Sequence, residues 1–219
     1  MKTKGVNGMK LLQISVGLPK TKQLENGTLV TGIGKEEVEG CWLRKESFDG
    51  DAVANTSFHG GVDRAVCVYP FEHYALWEKQ FGSTLPRPAF GENFTVIGMK
   101  EEDTYIGDVY RIGEAIVQVT QGRIPCVTID HHTGCKGLMA EIVKTGYTGY
   151  FMRVLEEGFV DKDASITLLE RGKSVTVLHT NRIYFHGPRN EEAAKEILEE
   201  EALASAWRSK LVQRMAKNR

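Results

Sequence analysis

The chain reads as a mainly β protein, a barrel or sandwich of short strands followed by a small helical unit. Three observations carry that expectation. Short β-branched and aromatic runs recur at intervals of about ten residues, with Gly, Pro or Asn between them, as antiparallel strands joined by tight turns do. Neither a GxGxxG nor a P-loop pattern occurs in the 219 residues, so the parallel α/β folds that bind dinucleotides or nucleoside triphosphates lose their usual signal. From Thr180 onward the apolar period becomes that of an amphipathic helix.

Composition narrows the function classes. At 41% hydrophobic and 26% charged residues, a chain of this length is expected to be an ordinary globular protein with a sizeable core. A formal net charge of −1 provides no field of one sign to draw in nucleic acid or an anionic membrane. The four cysteines, Cys41, Cys67, Cys126 and Cys135, have no framework spacing, so a reducing cytoplasm is the expected compartment. No apolar run approaches a membrane span, and MKTKGVNGMKLLQISVG lacks the apolar stretch of a secretory signal. We divide the chain into a flexible leader over 1–9, a β domain over 10–180 and a helical extension over 181–219.

Taken in order, Lys10 to Val16 is a strand ended by Gly17 and Pro19. Leu29 to Ile33, preceded by the turn signal Asn26-Gly27, and Glu39 to Arg44 are the next two. Ala65 to Tyr69 is an apolar run short enough for a buried strand, with Cys67 inside it as packing. Pro70 to Phe81 is an amphipathic helix opened by proline. Strands over Thr95-Val96, Asp108 to Arg111 and Ala115 to Thr120 follow, and a further β-branched run begins at Val127. Leu138 to Val143 starts a helix broken by Gly146; Ile166 to Arg171 and Ser174 to Leu178 read as the last strands. Asn190 opens the tail helices, whose apolar stripe runs through Trp207 and Leu211 and has to dock on the β domain, on a second copy of the chain as a homodimer, or on a redox partner.

The chemistry concentrates in VTQGRIPCVTID, Val119 to Asp130. Pro125 fixes the backbone immediately before Cys126, and Arg123 places a positive charge near the thiol, which favours the thiolate that attacks electrophiles or binds soft metals. Read from this segment alone, Cys126 is equally a small buried hydrophobe, the usual fate of a free cysteine. His59-Gly60-Gly61 with Asp63-Arg64 could bring backbone amides and charge to a ligand, or could be a tight turn. Gly91-Glu92-Asn93 puts a carboxylate and an amide on a turn, where Asn is common for conformational reasons. Cys126, His131, His132 and Cys135 carry zinc-type donors, but in no usual finger spacing.

Together these stretches are more specific than any one of them. HGGVDRAV, GENFTV, QGRIPC and TGYTGYFMRVLEEG occur in this order, and in that combination the chain resembles the MOSC domain family, in its stand-alone YiiM type with a three-helix C-terminal extension. The resemblance covers Lys10 to Met215. It implies a β-barrel-like domain with peripheral helices that holds the molybdenum cofactor, a pterin dithiolene. Cys126 would be the metal ligand, with Arg123 favouring its thiolate as a second catalytic residue. His59, Gly60, Gly61, Arg64, Glu92, Asn93, Gln121, Tyr150 and Arg153 would bind the cofactor or line its pocket. Many sequences of this type have proline after the glutamine; Gly122 here loosens the turn that holds Cys126.

The implied activity is reduction of N-hydroxylated compounds, such as N-hydroxylated purines, with release of water. The chain carries no flavin, nicotinamide or iron–sulfur signature, so a separate flavoprotein or ferredoxin-type electron donor is implied. The alternative is a non-enzymatic carrier of the cofactor, or of sulfur as a Cys126 persulfide.

Overall fold

The strands follow the apolar runs. In the computed structural model, which describes residues 8–24, 27–55, 60–187 and 190–217, β1 (Lys10–Val16) buries Leu11 and Ile14. A ribbon of β2 (Lys20–Leu24) and β3 (Gly27–Thr31) follows, then β4 (Glu36–Val38) and β5 (Gly40–Leu43). A single 3-10 turn, Val62–Arg64, leads into β6 (Val66–Pro70), every residue of which is buried, and α1 (Glu72–Phe81). Next come β7 (Phe94–Ile97), β8 (Val109–Ile112), β9 (Ala115–Gly122), α2 (Thr128–Thr133) and α3 (Leu138–Thr145). After β10 (Tyr150–Glu156), β11 (Gly158–Asp161) and β12 (Ile166–Glu170), the helices α4 (Val177–His186), α5 (Glu191–Glu199) and α6 (Ser205–Lys217) end the chain. Of the leader expected over 1–9, all but Gly8 and Met9 lies outside the described residues.

Eight strands form one curled sheet in the order β12-β8-β9-β10-β6-β7-β1-β4, a half-barrel with β12 and β4 at its edges. The β6–β7 pair is parallel, with Val68 opposite Phe94; the other neighbours are antiparallel. The fold is therefore mainly β with a helical unit at its end, as the strand spacing implies. The main core fills the curl with Ile14, Phe48, Phe94, Tyr110, Val117 and Met152. A second cluster of Tyr69, Tyr74, Trp77, Phe90, Leu138 and Ile142 lies under α1 and α3. The tail docks on its own β domain: Trp207 and Leu211 are fully buried in the main core, with the Trp207 ring 4.7 Å from that of Tyr184.

Local bonding overrides propensity in several places. The β-branched run at Val127 is the entry to α2, which Gly134 (φ 73°) ends, while the Asp130 carboxylate accepts from the N–H groups of Gly137 and Met139 at 2.7 Å each. Ser174 to Leu178 is likewise no strand. Thr176 accepts a hydrogen bond from the His179 N–H at 3.1 Å and caps α4, which starts at Val177. Conversely, Tyr150 to Leu155, preceded by Gly146 and Gly149 and interrupted by Arg153, belongs to β10 at the heart of the sheet.

Candidate functional site

Gly122 ends β9 opposite Tyr150 and lies directly under α4. A Cβ at this position would meet the Asn181 side-chain oxygen at 1.8 Å. The glycine is thus demanded by a close approach; it does not loosen the turn. Beyond it, the Arg123 N–H donates to Gly149 O and the Ile129 N–H donates to Cys126 O, both at 3.0 Å. Ile124-Pro125-Cys126 is pinned between the end of a central strand and the first turn of α2. The thiol is half-buried, with Sγ 3.2 Å from the Thr128 hydroxyl.

Cys126 opens onto a cavity of about 780 Å³. Of the residues expected from the sequence, the same cavity is lined by Gly60, Gly61, Arg64, Asn93, Gln121 and Arg123. Gly60 and Gly61 have φ of 82° and 90°, which only glycine adopts without strain, so this wall of the cavity is bare backbone. Asn93 is held rigidly: its side-chain oxygen accepts from the Cys67 N–H at 3.0 Å, and its amide donates to Ser15 O at 3.1 Å and to Asp51 Oδ2 at 2.8 Å.

Three expected pocket residues are elsewhere. Glu92 is fully buried, its carboxylate accepting from the Tyr74 hydroxyl at 2.5 Å, the Thr95 hydroxyl at 3.2 Å and the Phe90 N–H at 3.0 Å, and burial pushes its carboxyl up. Tyr150 is buried in the main core and donates to Met99 O at 3.1 Å. Arg153 pairs with Asp63 at 2.9 Å and donates to Ala202 O at 2.9 Å. Glu92 and Tyr150 hold the framework through fully bonded polar groups, and Arg153 does so through its terminal nitrogens, while its Nε has no partner among the described residues. His59 lies outside the described residues.

The cavity also contains residues that no local pattern marked. Lys35 and Asp51 form an ion pair in its wall with 6% of each side chain exposed, and Asp51 accepts from the Gly17 N–H at 2.9 Å. Cys67 lines it too, its thiol pushed up by burial. Lys210 reaches it from α6. Isolated lysines and an aspartate between turns carry no signal of their own in a sequence; only the fold brings them together.

The lining holds Lys35, Arg64, Arg123 and Lys210 against the carboxylates of Asp51 and Glu46, so it is cationic on balance. Two of the lining residues each carry a buried polar atom, Arg123 Nη1 and Gln121 Oε1, with no hydrogen-bond partner among the described residues. Bare buried donors and acceptors cost free energy unless a ligand meets them. The site suits an anionic, hydrogen-bonding ligand lying against a thiol. Among the described residues no three His, Cys, Asp or Glu side chains converge as a zinc centre needs. His132 instead lies between Lys22 Nζ at 3.0 Å and Pro88 O at 3.1 Å, and Cys135 packs in the second core cluster.

Comparison with known proteins bears on this cavity. A family profile described as MOSC domain matches residues 55–167, and one described as YiiM-like, 3-alpha helix domain matches 175–218. The chain is 43% identical over 206 residues to the uncharacterized protein YflK of Bacillus subtilis, covering 93% of each. The crystal structure of YiiM from Geobacillus stearothermophilus is similar with a TM-score of 0.79 at 34% identity, covering 94% of this chain and 99% of that one. A reductase from Gibberella moniliformis is 32% identical over 169 residues, which are 74% of this chain and 29% of the fungal protein.

Proposed function

This chain belongs to the MOSC domain family, and on that premise we propose that it is a molybdenum cofactor-dependent reductase of N-hydroxylated compounds such as N-hydroxylated purines. The family is associated with molybdenum cofactor binding, and the fungal relative named a reductase supports a reductive role. One observation carries the reading: a half-buried thiol opens onto a cationic cavity in which an arginine and a glutamine present buried, unpartnered polar atoms.

The residues fit the cofactor. A cavity of about 780 Å³ is within the range for ligands of this size, and its surplus of lysine and arginine matches an anion. Cys126 would be the metal ligand, since a thiolate is the soft donor that such a centre takes. When bound, the cofactor supplies two-electron oxygen-transfer chemistry at its metal. The chain supplies everything around it. Arg123 lines the cavity together with Cys126 and has a donor left for the ligand. Gln121 presents an acceptor for a ring N–H, and Gly60 and Gly61 let the ligand approach the backbone. Asn93, bonded on both sides of its amide, keeps the opposite wall in place.

Overall, an N-hydroxylated compound would take up two electrons and two protons and release water and the amine. The electrons would come from an external flavoprotein or ferredoxin-type donor. The test is molybdenum content together with reduction of an N-hydroxylated purine by an artificial electron donor, in protein made by a host that synthesises the cofactor. Stoichiometric molybdenum and turnover are expected, with both lost in Cys126→Ser. Molybdenum retained in the serine variant would remove Cys126 as ligand; cofactor bound without turnover would make the protein a carrier.

A further inference from the structure

The C-terminal helical unit does more than cover the β domain, because α6 places Lys210 in the lining of the cavity together with Arg64. These cations come from distant parts of the chain and are held in register by one set of bonds. The Ala204 N–H donates to Thr120 O at 3.0 Å, which seats the start of α6 on β9. The Thr120 hydroxyl donates to Asp63 O at 2.7 Å, which ties the turn carrying Arg64 to the same strand. Arg153 on β10 pairs with Asp63 and also donates to Ala202 O, joining that turn to the segment before α6. Arg153 is a positioning residue for both.

Such bracing holds like charges near each other beside open space. Lys210 forms no ion pair among the described residues, and the buried acid of the lining, Asp51, is taken up by Lys35. Loss of hydration and the nearby Arg64 both make the Lys210 ammonium easier to deprotonate. Repulsion of this kind is relieved by an anion between the cations. A phosphate monoester carries close to two charges at neutral pH, enough for both, with arginine able to bind two oxygens and lysine acting as a point charge.

We infer that Arg64 and Lys210 form a phosphate subsite at the junction of the β domain and the helical unit, which binds the phosphate ester of the molecule held beside Cys126. The identity of that molecule rests on the function proposed above: the ester belongs either to the cofactor or to an N-hydroxylated nucleotide substrate.

The experiment uses the full chain purified without cofactor, with inorganic phosphate titrated at low salt and followed by calorimetry. The variants are Lys210→Glu, Lys210→Arg and, as a charge control on exposed α5, Lys195→Glu. Losing one charge-assisted contact weakens binding by about tenfold or more, so Lys210→Glu should bind at least that much less tightly. Lys210→Arg and Lys195→Glu should bind as the parent does. Equal affinity in Lys210→Glu and the parent, or equal loss in Lys195→Glu, would overturn the subsite.

Protein from a cofactor-producing host then identifies the ester. Lower molybdenum content in Lys210→Glu assigns it to the cofactor. Unchanged molybdenum with a raised KM for the nucleotide, but not for the free base, assigns it to the substrate. Phosphate binding through Lys210 in a protein that never acquires molybdenum would sink the reductase reading and leave the subsite standing. A molybdenum-loaded parent whose phosphate affinity ignores Lys210 would do the reverse.

Discussion

The turn Gly91-Glu92-Asn93 and the segment Gln121 to Cys126 are alike as sequence: each is a short polar turn beside a strand. In the folded protein they are opposites. Both oxygens of Glu92 and both ends of the Asn93 amide are bonded to protein, deep in the structure. Gln121 and Arg123 each keep a buried polar atom unbonded, and Cys126 is half-buried beside a cavity. At these two turns the difference lies in unmet hydrogen-bonding capacity beside a cavity, and not in the presence of polar residues.

The contrast predicts how substitutions divide between stability and binding. Glu92→Ala strips the Tyr74 hydroxyl and the Phe90 N–H of their acceptor and should cost about 3 kcal/mol or more in denaturant unfolding, each lost bond to an acidic group counting for about 1.5–3 kcal/mol. A loss under about 1 kcal/mol would show that these bonds are not structural. Gly122→Ala drives a methyl into the Asn181 amide and should cost about 1–3 kcal/mol, with a smaller loss in an Asn181→Ala background. Equal losses in both backgrounds would place the strain elsewhere.

Arg123→Met should change stability by less than about 1 kcal/mol, because Nη1 has no bond to lose, yet it should reduce cofactor retention measured as molybdenum content. Full retention would show that the bare guanidinium nitrogen is not a ligand contact. The smallest expected effect belongs to His132 on α2. Burial lowers its pKa from the ordinary value of 6.5, with Lys22 adding to the shift and the bond to Pro88 O opposing it. The fold therefore favours the neutral ring. Its contribution is present above about pH 6.5, the unfolded value, and is lost as pH falls through the lower folded value. Unfolding midpoints should fall with acidification in the parent more steeply than in His132→Phe; identical slopes would exclude His132 as the source.

Glu92, Tyr150 and Arg153 mark the limit of reading a site from motifs. They stand in the right stretches, yet each bonds into the framework, since hydrogen-bond partners far along the chain decide where a polar side chain turns. Lys35, Asp51 and Lys210 show the converse. Nothing in their neighbourhoods marks them, and they meet at the cavity only because the loops after β3 and β5 and the last helix all line it.

Strand identity along β1, β6, β7, β8, β9 and β12, the helical tail and the cavity-lining stretch around Cys126 were legible from residue pattern, because alternation, helical period and proline placement act over a few neighbours. The entry into α2, the cap on α4, the docking of Trp207 and the division of polar residues between framework and cavity were not. Those depend on contacts between segments tens of residues apart, where the energy of burying a group with or without a partner exceeds any local preference.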